Sequence, residues 1–157
     1  MFIRKKKING KEYAYLIKNR YNKRKKQSRQ KTTKYLGKVI KLPNFDNPTQ
    51  ASTIRQSIIN EFSQRGFKIN EDKLTNKDII IDIKNLTVTS NNKSICLELN
   101  EGFLCDHTLV NLVNFNDDNL NQKELMHNLA DAFVSAGINL HHDSFIDIFK
   151  NKLNPQI

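Results

Sequence analysis

Residues 2–21 are FIRKKKINGKEYAYLIKNRY, and this stretch predicts a β-hairpin at the start of the chain. Asn9-Gly10 separates two runs that suit strands. This dipeptide is the strongest short hairpin signal, because both central positions of a type I′ turn need a positive φ. The second run alternates as a strand does, with Tyr13 and Tyr15 on the same side. We therefore expect two antiparallel strands here.

A third extended run, from about residue 26 to residue 35, follows a polar turn. Its alternation places Arg29, Lys31, Thr33 and Tyr35 on one face. Together the three runs predict a small three-stranded antiparallel sheet over roughly residues 2–40.

The tyrosines of this region have two interpretations. Tyr13, Tyr15 and Tyr35 could form the core of the small sheet, or they could stack on nucleic-acid bases. We favour the core role, because tyrosine rings carry a large apolar area that folding normally buries.

The charge of the chain is concentrated at its beginning. Sixteen of the 26 basic residues lie within residues 1–42, where Glu12 is the single acid, so residues 43–157 carry a net negative charge. A one-sided block of positive charge favours a polyanionic partner, above all nucleic acid. The candidate binding residues are Arg4, Lys5, Lys6, Lys7, Lys11, Lys18, Arg20, Lys23, Arg24, Lys25, Lys26, Arg29, Lys31 and Lys34.

The type of nucleic acid follows less directly from the sequence. Phosphate contacts serve DNA and RNA alike, and the chain has no signature of a common RNA-binding fold or of a zinc finger. A basic β-ribbon fits the major groove of duplex DNA. We prefer DNA as the partner, with an RNA- or ribosome-associated protein as the alternative. The basic region could also bind another polyanion or an acidic protein, or it could be only a solvated tail.

The amino-acid sequence of the basic region also resembles the N-terminal region of insertion-sequence transposases of the DDE type. The resemblance covers about a quarter of the chain and implies nucleic-acid binding, but it implies nothing about catalysis. The matching positions are Lys5–Lys7, Gly10, Lys11, Tyr13, Tyr15, Leu16, Arg29, Gln30, Lys34, Tyr35, Leu36 and Gly37.

The remainder of the chain predicts a second unit. Residues 1–42 form the basic module, residues 43–50 a linker containing prolines, and residues 51–157 an α+β domain. A helix capped by Thr49 or Ser52 has its apolar stripe at Ile54, Ile58, Ile59 and Phe62. It is followed by a short antiparallel meander over residues 79–83, 86–89 and 94–99 and by further helices, which gives three to four helices in all. The fold class is therefore α+β, and the second domain is expected to dimerise or to bind a protein partner.

No arrangement of residues predicts an active site. Asp82 and Glu98 could serve a metal-dependent nuclease or a remnant of a mobile-element enzyme. We prefer to place them on the solvent-exposed face of an antiparallel sheet, where acids alternate with Ile or Leu. Cys96, Cys105 and the four histidines match no standard metal spacing. We therefore predict a non-enzymatic protein without a metal or another cofactor.

The location of the protein follows from two features. Two cysteines are too few for a disulfide framework and suit a reducing cytoplasm. The longest apolar run, from Tyr13 to Ile17, is far too short to cross a membrane, and no apolar stretch typical of a signal peptide follows the basic start. A cytoplasmic protein with no membrane contact is expected.

Overall fold

The computed structural model describes residues 1–115 and 121–153, and these contain four helices and one mixed sheet of nine strands. This architecture confirms the predicted α+β class. No helix in this part of the chain has the length and apolar content that a membrane crossing requires. The strands are Phe2–Ile8 (β1), Lys11–Asn22 (β2), Gln27–Lys41 (β3), Lys68–Asn70 (β4), Lys73–Asn76 (β5), Ile79–Asp82 (β6), Thr87–Ser90 (β7), Lys93–Leu99 (β8) and Gly102–Leu104 (β9). The helices are Ile54–Ser63 (α1), Asp106–Val113 (α2), Gln122–Ser135 (α3) and His142–Leu153 (α4).

The sheet is larger than the three-stranded sheet that the sequence predicted. Its strand order is β1-β2-β3-β8-β7-β6-β5-β4, and β9 pairs with β8. Strands β1, β2 and β3 are antiparallel, as predicted, but β3 continues to Lys41 and its end pairs in parallel with β8. Local alternation locates a strand without showing which distant strand it will pair with, so this parallel contact was not visible in the sequence.

The predicted hairpin turn at the start of the chain is confirmed. Asn9 and Gly10 have φ values of 52° and 79°, as a type I′ turn requires, and the flanking Ile8 and Lys11 pair across it. The dipeptide thus sets the register of the first two strands.

Two bulges in β3 change the phase of its side chains. The register with β2 skips Thr33 and Leu36. Because the skipped Thr33 lies between them, Lys31 is on one face of the sheet and Tyr35 on the other. The prediction that Arg29, Lys31 and Tyr35 share a face is therefore wrong, because it assumed an unbroken alternation along the strand.

Gly37 allows β3 to approach β8 closely. Its φ is +127°, and a Cβ atom at this position would lie 2.8 Å from the carbonyl carbon of Ser94. Backbone conformation and available space therefore both require glycine. The close approach joins the basic strands to the rest of the sheet.

The larger hydrophobic core joins the four helices to strands β5 to β8. Ile58 and Phe62 from the predicted apolar stripe of α1 are fully buried in it, together with Leu97 of β8. Cys96, one residue earlier in β8, belongs to a smaller cluster on the other side of the sheet. The buried residues of this smaller cluster are Ala14, Leu16, Leu36, Val39, Cys96 and Cys105.

The segment predicted as a linker, residues 43–50, is held against the start of α4. The amide of Thr49 donates to the carbonyl oxygen of Asn139 at 2.6 Å, and the amide of His141 donates to the carbonyl oxygen of Thr49 at 2.7 Å. The Thr49 hydroxyl donates to the carboxylate of Glu61, and both residues are buried. The connection therefore has fixed contacts with the helical part of the molecule.

Candidate nucleic-acid interface

Residues 18–31 form a two-stranded projection that we call the basic ribbon. Strand β1 accompanies β2 only as far as the pair Phe2 and Ile17, so the ribbon has no third strand. Every residue of the ribbon is exposed, and none of them is an acid. Eight of the predicted binding residues lie here, namely Lys18, Arg20, Lys23, Arg24, Lys25, Lys26, Arg29 and Lys31.

The tip of the ribbon is shaped by an asparagine. The side-chain oxygen of Asn22 accepts hydrogen bonds from the backbone amides of Arg24 at 3.0 Å and Lys25 at 3.3 Å. Such a bond reverses the chain locally, which is why asparagine is common in turns. Lys26 then takes a positive φ of 48° before β3 begins. This turn groups four consecutive cations, Lys23 to Lys26, at the far end of the ribbon.

One face of the ribbon, which we call the cationic face, consists of like charges in direct opposition. Lys18 pairs with Lys31 across the two strands, and Arg20 pairs with Arg29. Residues in direct cross-strand pairs point to the same side of the sheet, so these four cations lie together. Within the part of the chain that the structure describes, none of the four forms a salt bridge.

The opposite face of the ribbon is polar and uncharged. Asn19 pairs with Gln30, and Tyr21 pairs with Ser28. These amide and hydroxyl groups can donate and accept hydrogen bonds, as side chains that contact base edges must. Asn19 was not among the predicted candidates, although the alternation of β2 already separates it from the neighbouring cations.

The cations of β1 point alternately to the two faces of the sheet. Arg4 and Lys6 lie on one face, and the Nη1 atom of Arg4 donates to Oε1 of Gln30 at 2.7 Å. Lys5 points to the other side, where its Nζ atom lies 2.9 Å from the carboxylate of Glu98 and 3.1 Å from that of Glu12. Hydrogen bonds from Lys5 to Glu98 and then to Glu12 raise the pKa of Lys5. Lys5 is thus already neutralised within the protein.

The remaining candidates lie nearer the body of the molecule. Lys7 and Lys11 flank the β1–β2 turn, at the end of the strands away from the ribbon, and both are exposed. Lys34 is exposed and lies near His107 of α2, where burial of the imidazole and the charge of Lys34 lower the pKa of His107. The fourteen candidates therefore do not form one continuous patch, and the ribbon is their densest cluster.

Three tyrosines form a cluster on the face of β1–β3 that carries Arg4, which we call the aromatic face. The ring centroid of Tyr35 lies 5.3 Å from that of Tyr15 and 6.3 Å from that of Tyr13. Tyr35 is 52% exposed, and none of the three belongs to either buried cluster. Our preference for a core role of these tyrosines was therefore wrong, because the apolar core of this region formed on the other face around Leu16 and Leu36.

The two carboxylates considered for a nuclease do not lie together. Asp82 is on β6 and Glu98 is on β8, with β7 between them. The carboxylate of Asp82 accepts hydrogen bonds from the Lys84 amide and from the amide and side chain of Asn85. Burial opposes the ionisation of Asp82, but these bonds outweigh it and hold its pKa below the ordinary value. Asp82 thus caps a turn, and Glu98 pairs with Lys5.

The thiols and histidines are also dispersed. Cys96 and Cys105 are buried in the smaller cluster, where free cysteine packs as a small apolar residue. His127 lies on the exposed surface of α3 beside Asp131. In residues 1–115 and 121–153 no group of three or more His, Cys, Asp or Glu residues is placed to hold a metal ion.

Comparison of the chain with protein-family models, curated proteins and solved structures gives no match. The interpretation of the interface therefore depends on its own geometry and charge. The resemblance of the basic region to transposase N-terminal regions stays a prediction.

Proposed function

We propose that this protein binds nucleic acid through the basic ribbon, that it prefers duplex DNA to RNA, and that it does so without catalysing a reaction. The observation that carries the proposal is the direct opposition of Lys18 with Lys31 and of Arg20 with Arg29. No residue of the ribbon is an acid that could compensate them.

Such an arrangement has an energetic consequence. Like charges directly opposite each other destabilise a strand pair. A phosphate backbone supplies the counter-charges, and binding releases the small ions condensed on the nucleic acid. The ribbon is therefore a surface whose repulsion is relieved by a polyanion.

The shape of the ribbon favours duplex DNA. Two strands lie about 4.8 Å apart, and a two-stranded β-ribbon with its side chains enters the major groove of B-DNA, which is about 12 Å wide. The major groove of A-form RNA is deep and narrow, and side chains cannot read it. Phosphate contacts from the cationic face would hold the ribbon on the duplex whatever the base sequence. The resemblance of this region's sequence to transposase N-terminal regions also favours DNA.

The test of the proposal is a competition experiment with the full chain. A labelled duplex DNA is bound at low salt and displaced by unlabelled duplex DNA, or by a structured RNA with the same number of phosphates. We expect duplex DNA to compete better, and the affinity to fall steeply between about 50 and 200 mM salt. Equal or better competition by RNA would favour the RNA- or ribosome-associated alternative, and undetectable binding at low salt would refute the proposal.

The role of residues 51–157 is a separate prediction. Dimerisation or recruitment of a protein partner through this part is compatible with DNA binding by the ribbon, because β3 pairs with β8 only through Lys38–Lys41, outside the ribbon. The molecular mass of the free protein in solution tests dimerisation, which predicts twice the mass of one chain.

A further inference from the structure

The aromatic face of β1–β3 is exposed to solvent, whereas the opposite face of the same strands is covered by the rest of the protein. Tyr13 and Tyr15 alternate along β2 with Ala14 and Leu16, which are buried in the smaller cluster. Phe103 of β9 packs against that cluster. A ligand can therefore reach the centre of strands β1 to β3 only from the side of the tyrosines.

Among the three rings, Tyr35 offers the largest free surface. The Nζ atom of Lys6 lies over the ring of Tyr15, 4.9 Å from its centroid, so this cation already occupies one side of Tyr15. Tyr13 and Tyr15 are half-buried, whereas Tyr35 is 52% exposed. The neighbouring rings are tilted by 43° and 54° to Tyr35, which supports its ring without stacking on it. Tyr35 is thus a fixed aromatic surface with no stacked neighbour among the described residues.

Cations flank this surface on both neighbouring strands. Arg4 and Lys6 pair with Tyr15 and Tyr13 from the side of β1, and Lys38 pairs with Tyr13 from the side of β3. Surfaces that bind single-stranded nucleic acid combine these two elements, with cations along the phosphates and aromatic rings against the bases. A duplex cannot use Tyr35 in this way, because its bases are already stacked on one another.

We propose that the aromatic face binds unpaired bases, with one base stacked on Tyr35 and the neighbouring phosphates held by Arg4, Lys6 and Lys38. This inference rests on the proposed function and adds a second contact with a different chemistry to the basic ribbon. The unpaired bases can belong to a free single strand or to a single-stranded end that adjoins a duplex.

The first experiment compares two probes with equal numbers of phosphates, a short thymine oligonucleotide and the same backbone without bases. We expect the full chain to bind the thymine probe at least about fivefold more tightly, since one stacked base commonly contributes this much. Replacing Tyr35 with valine, which suits a strand, should remove the difference, and Tyr35→Phe, which keeps the ring, should preserve it. Affinity for a blunt duplex should not change in either variant.

A second measurement does not depend on the folding of the valine variant. The chain contains four tyrosines and no tryptophan, so Tyr13→Phe, Tyr15→Phe and Tyr21→Phe together leave Tyr35 as the single strong emitter. We expect the thymine probe to quench the emission of Tyr35 and the probe without bases to leave it unchanged. A duplex with a thymine tail should quench it as well if the tail reaches the aromatic face, whereas quenching by the free strand alone would assign the site to free single strands.

The outcomes separate this inference from the proposed function. Equal affinity for both probes, together with unchanged Tyr35 emission and retained salt dependence, would overturn the stacking contact and leave phosphate binding by the ribbon intact. Absence of binding to every probe at low salt would overturn both.

Discussion

Charged side chains serve different purposes in the two parts of this molecule. In the basic ribbon, Lys18 opposes Lys31 and Arg20 opposes Arg29 on an exposed surface. Among the described residues beyond residue 42, the most buried ion pair joins Glu61 to Arg65, whose side chains are each 2% exposed and whose charged groups lie 3.1 Å apart. One arrangement is repulsive and open, and the other is attractive and closed.

The difference indicates which charges the fold needs. Glu61 also accepts hydrogen bonds from Asn100 and Thr49, and Arg65 donates to the carbonyl oxygen of Pro43. This network holds the connection between the basic strands and α1. The cations of the ribbon have no such role, so folding does not explain their placement, whereas a polyanionic ligand does.

The largest expected effect comes from breaking the buried pair. Glu61→Leu leaves the Arg65 guanidinium buried without its counter-charge, and we expect the free energy of unfolding to fall by about 3–5 kcal/mol in chemical denaturation. Arg55→Ala is the matched control, because it removes a salt bridge to Asp72 that is largely exposed and should cost no more than about 1 kcal/mol. Similar losses in both variants would contradict the contrast between closed and open charges.

The next effect tests the junction of the two parts. Gly37→Ala forces a Cβ atom against the Ser94 carbonyl group at a backbone angle that suits only glycine, and we expect a loss of about 2 kcal/mol or more. Gly10→Ala is the control, since Gly10 also has a positive φ but has no atom within 4 Å of the added Cβ. The control should lose about 1 kcal/mol, the cost of the backbone strain alone. Equal losses of stability in the two variants would contradict the close approach of Gly37 in β3 to Ser94 in β8.

The third effect is the contribution of Asp82 to the free energy of unfolding, which depends on pH. Hydrogen bonds to the Asp82 carboxylate keep its folded pKa below the ordinary value of 3.8, so its ionisation stabilises the folded state above that value. This stabilisation should disappear as the pH falls from the ordinary value through the lower pKa of the folded state. We therefore expect Asp82→Asn to be less stable than the natural chain at neutral pH and the difference to shrink on acidification. A difference that is independent of pH would contradict the assignment.

The sequence predicted local features of this fold well. The Asn9-Gly10 turn, the strands of the first hairpin and the apolar stripe of α1 each depend on residues close together in the chain, and all three are confirmed. The N-cap of α1 is Thr53, which lies one residue beyond the predicted Ser52. The short strands β4 and β5 were missed, because each contains a single β-branched residue, whereas β6 and β7, which are equally short, contain three each.

Features that depend on distant contacts could not be predicted from the sequence. The bulges at Thr33 and Leu36 both precede Lys38, where the pairing of β3 with β8 begins. The bulge at Thr33 moves Tyr35 to the face opposite Lys31, and this separates the aromatic face from the cationic face. The cations of the candidate site were found from composition alone, but their division into opposed pairs required the register of the strands.

The most direct test of this account removes the four opposed cations of the ribbon. In this variant Lys18, Arg20, Arg29 and Lys31 are all replaced with threonine, which suits strands. Its matched control replaces four exposed lysines outside the basic region with glutamine, namely Lys68, Lys84, Lys123 and Lys150.

Binding to duplex DNA is measured as a function of salt, and stability is measured by chemical denaturation. We predict that in the ribbon variant the slope of log affinity against log salt becomes less negative by about 3.6, or about 0.9 for each cation removed. Its free energy of unfolding should rise by about 0.2–1 kcal/mol for each relieved pair. The control should keep the natural slope. An unchanged slope in the ribbon variant, or an equal loss in the control, would contradict the claim that the ribbon is a surface for phosphates.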